Sequence, residues 1–419
     1  MSRDLPIFFA LALALALAVL AAVLPLGAGP AATDDDCLAC HSDKDLKSGQ
    51  GKPLFVDGAR FQASIHGQGG VGCVGCHADL EKVKDFPHAE KLAVVECAAC
   101  HEDAAAEIKG SVHGRAHEGP GTFLVSCKDC HGTHDIRGKE DMASSVFAMN
   151  IPDTCERCHL ERVQGKRGQG FVGTYNDSIH FRVLKKSGLS LSATCATCHG
   201  SHGARPTDDP ESKVARKNVI RTCGRCHAGI EKTYLEGVHG KDYAKGSADV
   251  PVCTDCHSEH DIEAPESLTS AVYATQVAAV CSRCHDDERL ARQYGLITSR
   301  LRTYSDSYHG TASGYGETKV ANCASCHGFH DVRNSTDPLS SIHPDNMSQT
   351  CGRCHAGAGP NFAKGKIHVV SEKTESKGAY FAKIFYMTAI GGLISVFLIF
   401  IAVDLTRRAR TRWKAKKSR

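Results

Sequence analysis

The sequence predicts a fold of short α-helices and loops with little β structure, ending in one C-terminal transmembrane helix. Three observations predict it. Cys-x-x-Cys-His occurs eleven times and uses all 22 cysteines. Between the two hydrophobic ends, Thr33 to Gly378 contains no tryptophan and only roughly 31 residues per motif, too few for an ordinary apolar core. Ile384 to Val403 is an uncharged run long enough to cross a bilayer, and a dense basic tail follows it.

The motifs comprise Cys37, Cys40 and His41; Cys73, Cys76 and His77; Cys97, Cys100 and His101; Cys127, Cys130 and His131; Cys155, Cys158 and His159; Cys195, Cys198 and His199; Cys223, Cys226 and His227; Cys253, Cys256 and His257; Cys281, Cys284 and His285; Cys323, Cys326 and His327; and Cys351, Cys354 and His355. Two cysteines three apart lie on one side of a helical turn, so their sulfurs can add to the vinyl groups along one porphyrin edge. The next residue then brings its imidazole under the iron. Zinc knuckles, redox pairs and disulfides require no histidine at that place. The motifs are therefore read as attachment points for eleven covalent haem c groups. The helices and loops wrap around this haem array, with porphyrins in place of an apolar core. Loops such as Gly165 to Gly173 and Gly310 to Gly316 are expected between helices, and folding is expected to depend on haem attachment.

Leu5 to Ala32 carries no charge and follows Arg3, which reads as a Sec-type signal sequence or an uncleaved N-terminal anchor. At the other end Arg407, Arg408, Arg410, Arg412, Lys414, Lys416, Lys417 and Arg419 place the tail in the cytoplasm by the positive-inside rule, with the haem-bearing part outside. Tyr380, Phe381 and Trp413 suit the headgroup layers. The net charge of +3 comes from the tail: without it and the N-terminal charges, 41 basic side chains face 45 acidic ones. Nothing in that balance supports nucleic-acid binding.

The motifs form close and wide pairs that alternate. Cys97 to Cys127 and Cys223 to Cys253 span 30 residues, whereas Cys155 to Cys195 and Cys281 to Cys323 span 40 and 42. Thr222 to Gly229 recurs letter for letter at Thr350 to Gly357. This is the mark of a duplicated tetrahaem unit. It divides the chain into 1–32 (signal or anchor), 33–96 (dihaem), 97–222 and 223–350 (tetrahaem repeats), 351–383 (monohaem and linker), 384–403 (transmembrane) and 404–419 (basic tail).

Thirteen histidines lie outside the motifs. His66, His113, His180, His239 and His309 sit between the motifs of successive pairs, mostly as Ser-x-His-Gly, and His368 continues that series. His134, His202, His260 and His330 each fall three residues after a motif histidine. A residue that close cannot reach the far side of its own iron, so each should ligate a neighbouring haem. The first pair has Leu80 at that position, and His88 is assigned instead. These eleven complete a bis-histidine set, with His117 and His343 spare. Met142, Met149 and Met347 do not follow the repeat. A second imidazole favours ferric iron and a low potential, and fills the coordination sphere. No residue is assigned a catalytic role.

The paired motifs, the Ser-x-His-Gly segments and the Cys-x-x-Cys-His-Gly-x-His forms at Cys127 to His134 and Cys195 to His202 resemble the multihaem c-type cytochromes with doubled haem motifs, over residues 37 to 368. The resemblance implies an electron wire at the inner (cytoplasmic) membrane, its haem domain facing the periplasm. It would run between the quinone pool and periplasmic or outer-membrane cytochromes in anaerobic respiration. The span contains no histidine to hold a b-type haem, so a quinone-reactive inner-membrane subunit, a cytochrome b or similar, is the expected partner. Gly391 and Ser395 offer a close-packing face for it. The alternative reading is a reductase of a small nitrogen or sulfur compound, with one open-coordinate haem in the irregular first pair.

Overall fold

The computed structural model describes residues 32–83, 85–115, 124–159, 171–364, 367–370, 372–374 and 376–417. The N-terminal hydrophobic segment through residue 31, the spare His117 and most of the expected 165–173 loop lie outside the described residues. Short helices dominate, and the only β pairing among the described residues is an isolated bridge between Lys47 and Pro53. The chain divides into two compact units, Met1–Gly173 with His180–Lys213, and Thr174–Ile179 with Val214–Arg419. The first carries the six motifs from Cys37 to Cys195, the second the five from Cys223 to Cys351.

Apolar packing is sparse. Among the described residues the one buried hydrophobic cluster, in the second unit, is Val219, Ile220 and Val252, with Cys223, Tyr234, Tyr243 and Cys253 packed on it. Many buried side chains are instead small and polar: Ser64, Ser111, Ser144, Ser178, Ser212, Ser270 and Ser340. All of these but Ser178 bond the backbone of a loop or helix start through their hydroxyls.

Four motifs form five-residue helices, Cys127–His131, Cys195–His199, Cys253–His257 and Cys323–His327. Each opens in an extended residue whose N–H bonds the side chain three residues on: Ser126 to Asp129, Thr194 to Thr197, Val252 to Asp255 and Asn322 to Ser325. Each ends at a residue of positive φ: Gly132, Gly200, Ser258 and Gly328, at 81°, 94°, 68° and 77°. That left-handed turn stops the helix after one turn and sends the chain back over the motif. Glycine does this without strain in three cases; Ser258 does it with a Cβ.

The Ser-x-His-Gly segments have a different construction. Ser64 and Ser307 cap helices Ile65–Gln68 and Tyr308–Gly314 through hydrogen bonds from Gly67 and Gly310 at 3.0 and 3.1 Å. Ser111 accepts from His113 N–H at 3.1 Å. The glycine that follows the histidine is there for closeness: a Cβ on Gly67, Gly114, Gly240 or Gly310 would collide with the carbonyl of Phe61, Ile108, Tyr234 or Tyr304. The expected 310–316 loop is therefore corrected. Residues through Gly314 are helical, because Ser307 caps them and Gly310 is pressed on the Tyr304 carbonyl; only Gly316, at φ 88°, uses a glycine's freedom.

Helix Lys377–Lys417 closes the chain. It is long and apolar enough to cross a membrane, and none of its apolar window is buried against protein. Ser395 Oγ bonds the Gly391 carbonyl at 2.7 Å, and Asp404 pairs with Arg408 at 2.7 Å.

Candidate metal centres

The motif helices place the first cysteines of successive motifs side by side. The first-cysteine thiols lie near enough to perturb one another, Cys37 with Cys73, Cys155 with Cys195, Cys223 with Cys253, Cys281 with Cys323, and Cys97 with Cys127. Between these pairs the second cysteines make the approach: Cys76 to Cys97, Cys130 to Cys158, Cys256 to Cys284, and Cys326 to Cys351 and Cys354. Within each unit the motifs thus line up in sequence order. Hydroxyl relays hold the steps between pairs: Ser145 donates to Cys130 O and Thr154 to Ser145 O, and Ser341 and Thr350 repeat this at Cys326. All 22 cysteines are free of disulfides.

The histidines meet two at a time. In the first unit His41 faces His88, His66 faces His101, His77 faces His134, His113 faces His159 and His131 faces His202. In the second His239 faces His285, His257 faces His330, His309 faces His355 and His327 faces His368. The ring centroids are 6.0–6.3 Å apart in all nine, although the angle between planes runs from 11° to 70°. Rings packed directly on each other would change spacing with angle. A metal between them would not allow it: two metal–nitrogen bonds of about 2 Å and two ring radii of roughly 1.15 Å give about 6.3 Å. No three or more His, Cys, Asp or Glu side chains among the described residues gather into a cage for a bare ion. The donor set fits an axial pair with the equatorial positions left to a macrocycle.

The pairing follows a rule. His66, His113, His239 and His309 reach forward to the first motif of the next pair, as His66 does to His101. His134, His202 and His330, each three after a motif, reach back to the second motif of the previous pair, as His134 does to His77. A backbone hydrogen bond clips the two segments together: Ile65 N–H to Ile136 O at 2.9 Å, Val112 to Ala204 and Ile179 to Ile262 at 2.8 Å, and Val238 to Val332 at 2.7 Å. His368 departs from its series. It faces His327, where the rule calls for a histidine after a following motif and the apolar helix Lys377–Lys417 stands instead. His88 fills the matching gap at the other end. His180 and His199 lie in the first unit, and His227 and His260 in the second, at the same repeat positions as paired histidines. His343 is no part of the pattern: its Nδ1 accepts from Asp345 N–H at 3.3 Å at a helix start.

Residues 65–160 match the cytochrome c3 family, and residues 244–290 match the doubled CXXCH motif. The chain is a multihaem c-type cytochrome. No curated protein and no solved structure matches it. Its chemistry is electron transfer of the cytochrome c3 kind, carried by several haem c groups.

The environment of several of this cytochrome's imidazoles favours the neutral form, which metal ligation requires. Burial, then the neighbouring His285, pushes His239 down to about 4. Burial also lowers His131, His134, His257, His285, His327, His330 and His368. Burial, aided by Asp34, pushes the Cys73 thiol up to about 12. Several rings are oriented through Nδ1: His41 to Leu54 O at 2.8 Å, His88 to Ala89 O at 2.8 Å, and His368 to Thr303 Oγ1 at 2.9 Å. Such partners fix which nitrogen is free for the metal. His77 Nδ1 is buried with none. Sequence reasoning missed these orienting groups; two are backbone carbonyls and Thr303 belongs to the non-repeating end. It also missed a repeat that was readable, the Arg137–Asp141, Arg205–Asp209 and Arg333–Asp337 ion pairs at 2.8, 3.0 and 3.3 Å, which brace the loops after His134, His202 and His330.

Proposed function

We propose that this cytochrome carries eleven haem c groups, each iron held between two imidazoles, and relays electrons between the quinone pool and periplasmic or outer-membrane cytochromes in anaerobic respiration. The constant spacing of the nine imidazole pairs carries this reading. The motif cysteines provide the thioether anchors and the 22 assigned histidines the axial nitrogens, each iron supplying a one-electron ferric/ferrous couple. His180, His199, His227 and His260 complete the set by their place in the repeat. With both axial positions filled, no iron has room for a substrate. A reductase would need an open one, and the first motif pair, the place for it, has His88 opposite His41 and His134 opposite His77.

The helix from Lys377 anchors the array at the inner membrane with its basic tail in the cytoplasm. Arg302, Asp306, Val369, Val370, Glu372 and Lys383 line a cleft that joins the segment after His368 to the start of that helix, so the last motifs lie beside the membrane. Since the span has no histidine, a quinone-reactive subunit such as a cytochrome b delivers or accepts electrons there. Intact mass should show eleven haem adducts, and electron paramagnetic resonance (EPR) of the oxidised protein should be almost wholly low-spin. A substantial high-spin ferric signal, or far fewer adducts, would overturn the reading. Quinol-dependent reduction of the chain purified alone in mild detergent would remove the need for the partner.

A further inference from the structure

The angle between facing imidazole planes alternates along the chain. Pairs at the second motif of each couple are near parallel: 29° for His77 and His134, 31° for His131 and His202, 28° for His257 and His330, and 37° for His327 and His368. Pairs at first motifs are crossed: 70° for His66 and His101, 66° for His113 and His159, 62° for His239 and His285, and 53° for His309 and His355. Of the nine facing pairs, His41 and His88, at 11°, break the order, and His88 stands outside the repeat. The cause is local. All four crossed pairs take their outer ring from an x-His-Gly segment whose glycine is packed on a carbonyl, and in three of them Ser64, Ser111 or Ser307 also bonds the backbone beside the histidine. Most near-parallel pairs take it from the turn after a motif, where Gly132, Gly200 or Gly328 reverses the chain before the histidine.

We infer that the axial imidazole pairs form two electronic classes that alternate along the array, the crossed class being the easier to reduce. This rests on the bis-histidine reading above. Parallel rings donate π density to the same iron d orbital and split it from its partner. In low-spin ferric iron the hole occupies the raised orbital, so that splitting stabilises the oxidised state. Crossed rings act on different orbitals, leave them nearly degenerate, and give less of that stabilisation. An electron moving along the motif order therefore meets acceptors of alternating, not monotonic, potential.

EPR of the frozen, oxidised full-length protein tests it, combined with a reductive titration. Two low-spin families are expected: a rhombic one from parallel pairs and a large-gmax, strongly anisotropic one from crossed pairs. The second should disappear first on reduction. His309→Met should remove intensity from the anisotropic family alone, and His330→Met from the rhombic family alone. Should either variant fail to fold, the wild-type titration still decides. A single low-spin family, or a rhombic family that reduces first, overturns the alternation and leaves bis-histidine ligation standing. A predominantly high-spin spectrum overturns the ligation itself.

Discussion

Val238 donates its backbone N–H to the Val332 carbonyl at 2.7 Å, and this bond clips the segment bearing His239 to the segment bearing His330. The same clip at Ile65 and Val112 brings the forward- and back-reaching histidines of neighbouring motif couples together, so couples joined this way cannot complete the proposed axial pairs independently.

Val238→Pro isolates that bond. Val238 is the first residue of helix Val238–Ala244, and Gly237 before it is extended, so proline fits the backbone and deletes only the donor. The Val332 carbonyl is left unpaired, at a cost of about 1–2 kcal/mol. Thermal unfolding of the haem-loaded protein should shift down accordingly with haem content unchanged. An unshifted midpoint would show the clip to be dispensable.

Gly310→Ala should do more. The new methyl meets the Tyr304 carbonyl, and relief requires moving the turn that holds His309 opposite His355. Overpacking of this kind costs about 1–3 kcal/mol. The His355 haem should gain high-spin character, read by EPR. A stable variant that remains fully low-spin would contradict the role given to this glycine.

Ser258→Gly should stabilise. Ser258 holds φ 68° and ψ −176°, a region essentially reserved for glycine, where Gly132, Gly200 and Gly328 occupy the equivalent turns. Strain of about 1–3 kcal/mol is released against the roughly 0.5–1 kcal/mol entropic cost of a glycine, a net gain of about 1 kcal/mol. Denaturant midpoints of the two loaded proteins check the sign.

Much of this was legible in the sequence because haem attachment writes itself as a local string. The eleven motifs, their coupling and the two histidine series all recur at fixed offsets. The partner of each histidine was not legible. That depends on which way a turn sends the chain: the positive φ of Gly132 carries His134 back to His77, while the cap at Ser64 points His66 forward to His101. The glycines of Gly310 to Gly316 read as a loop because composition does not distinguish a flexible glycine from one pressed against a carbonyl. His368 read as one more member of a series, because nothing in a repeat announces its own end.

That end offers the most direct handle on a single haem. Thr303 is buried, and its Oγ1 lies 2.9 Å from His368 Nδ1 and 3.0 Å from the carbonyls of both Ser299 and Arg300. The hydroxyl donates to a carbonyl and accepts from the imidazole N–H, which leaves Nε2 of His368 to face His327. An imidazole whose N–H has an acceptor is a more basic ligand. Thr303→Val keeps the shape, removes the acceptor, and costs about 1 kcal/mol of stability. Ferric iron, the harder ion, loses more than ferrous, so the potential at His327 should rise, by about 59 mV for each tenfold loss of ferric preference. Only one haem of the array should move in a spectroscopic titration. A curve superimposable on the wild type would show that Thr303 orients nothing, and a shift spread over many haems would mean that the substitution disturbs the fold instead of the ligand.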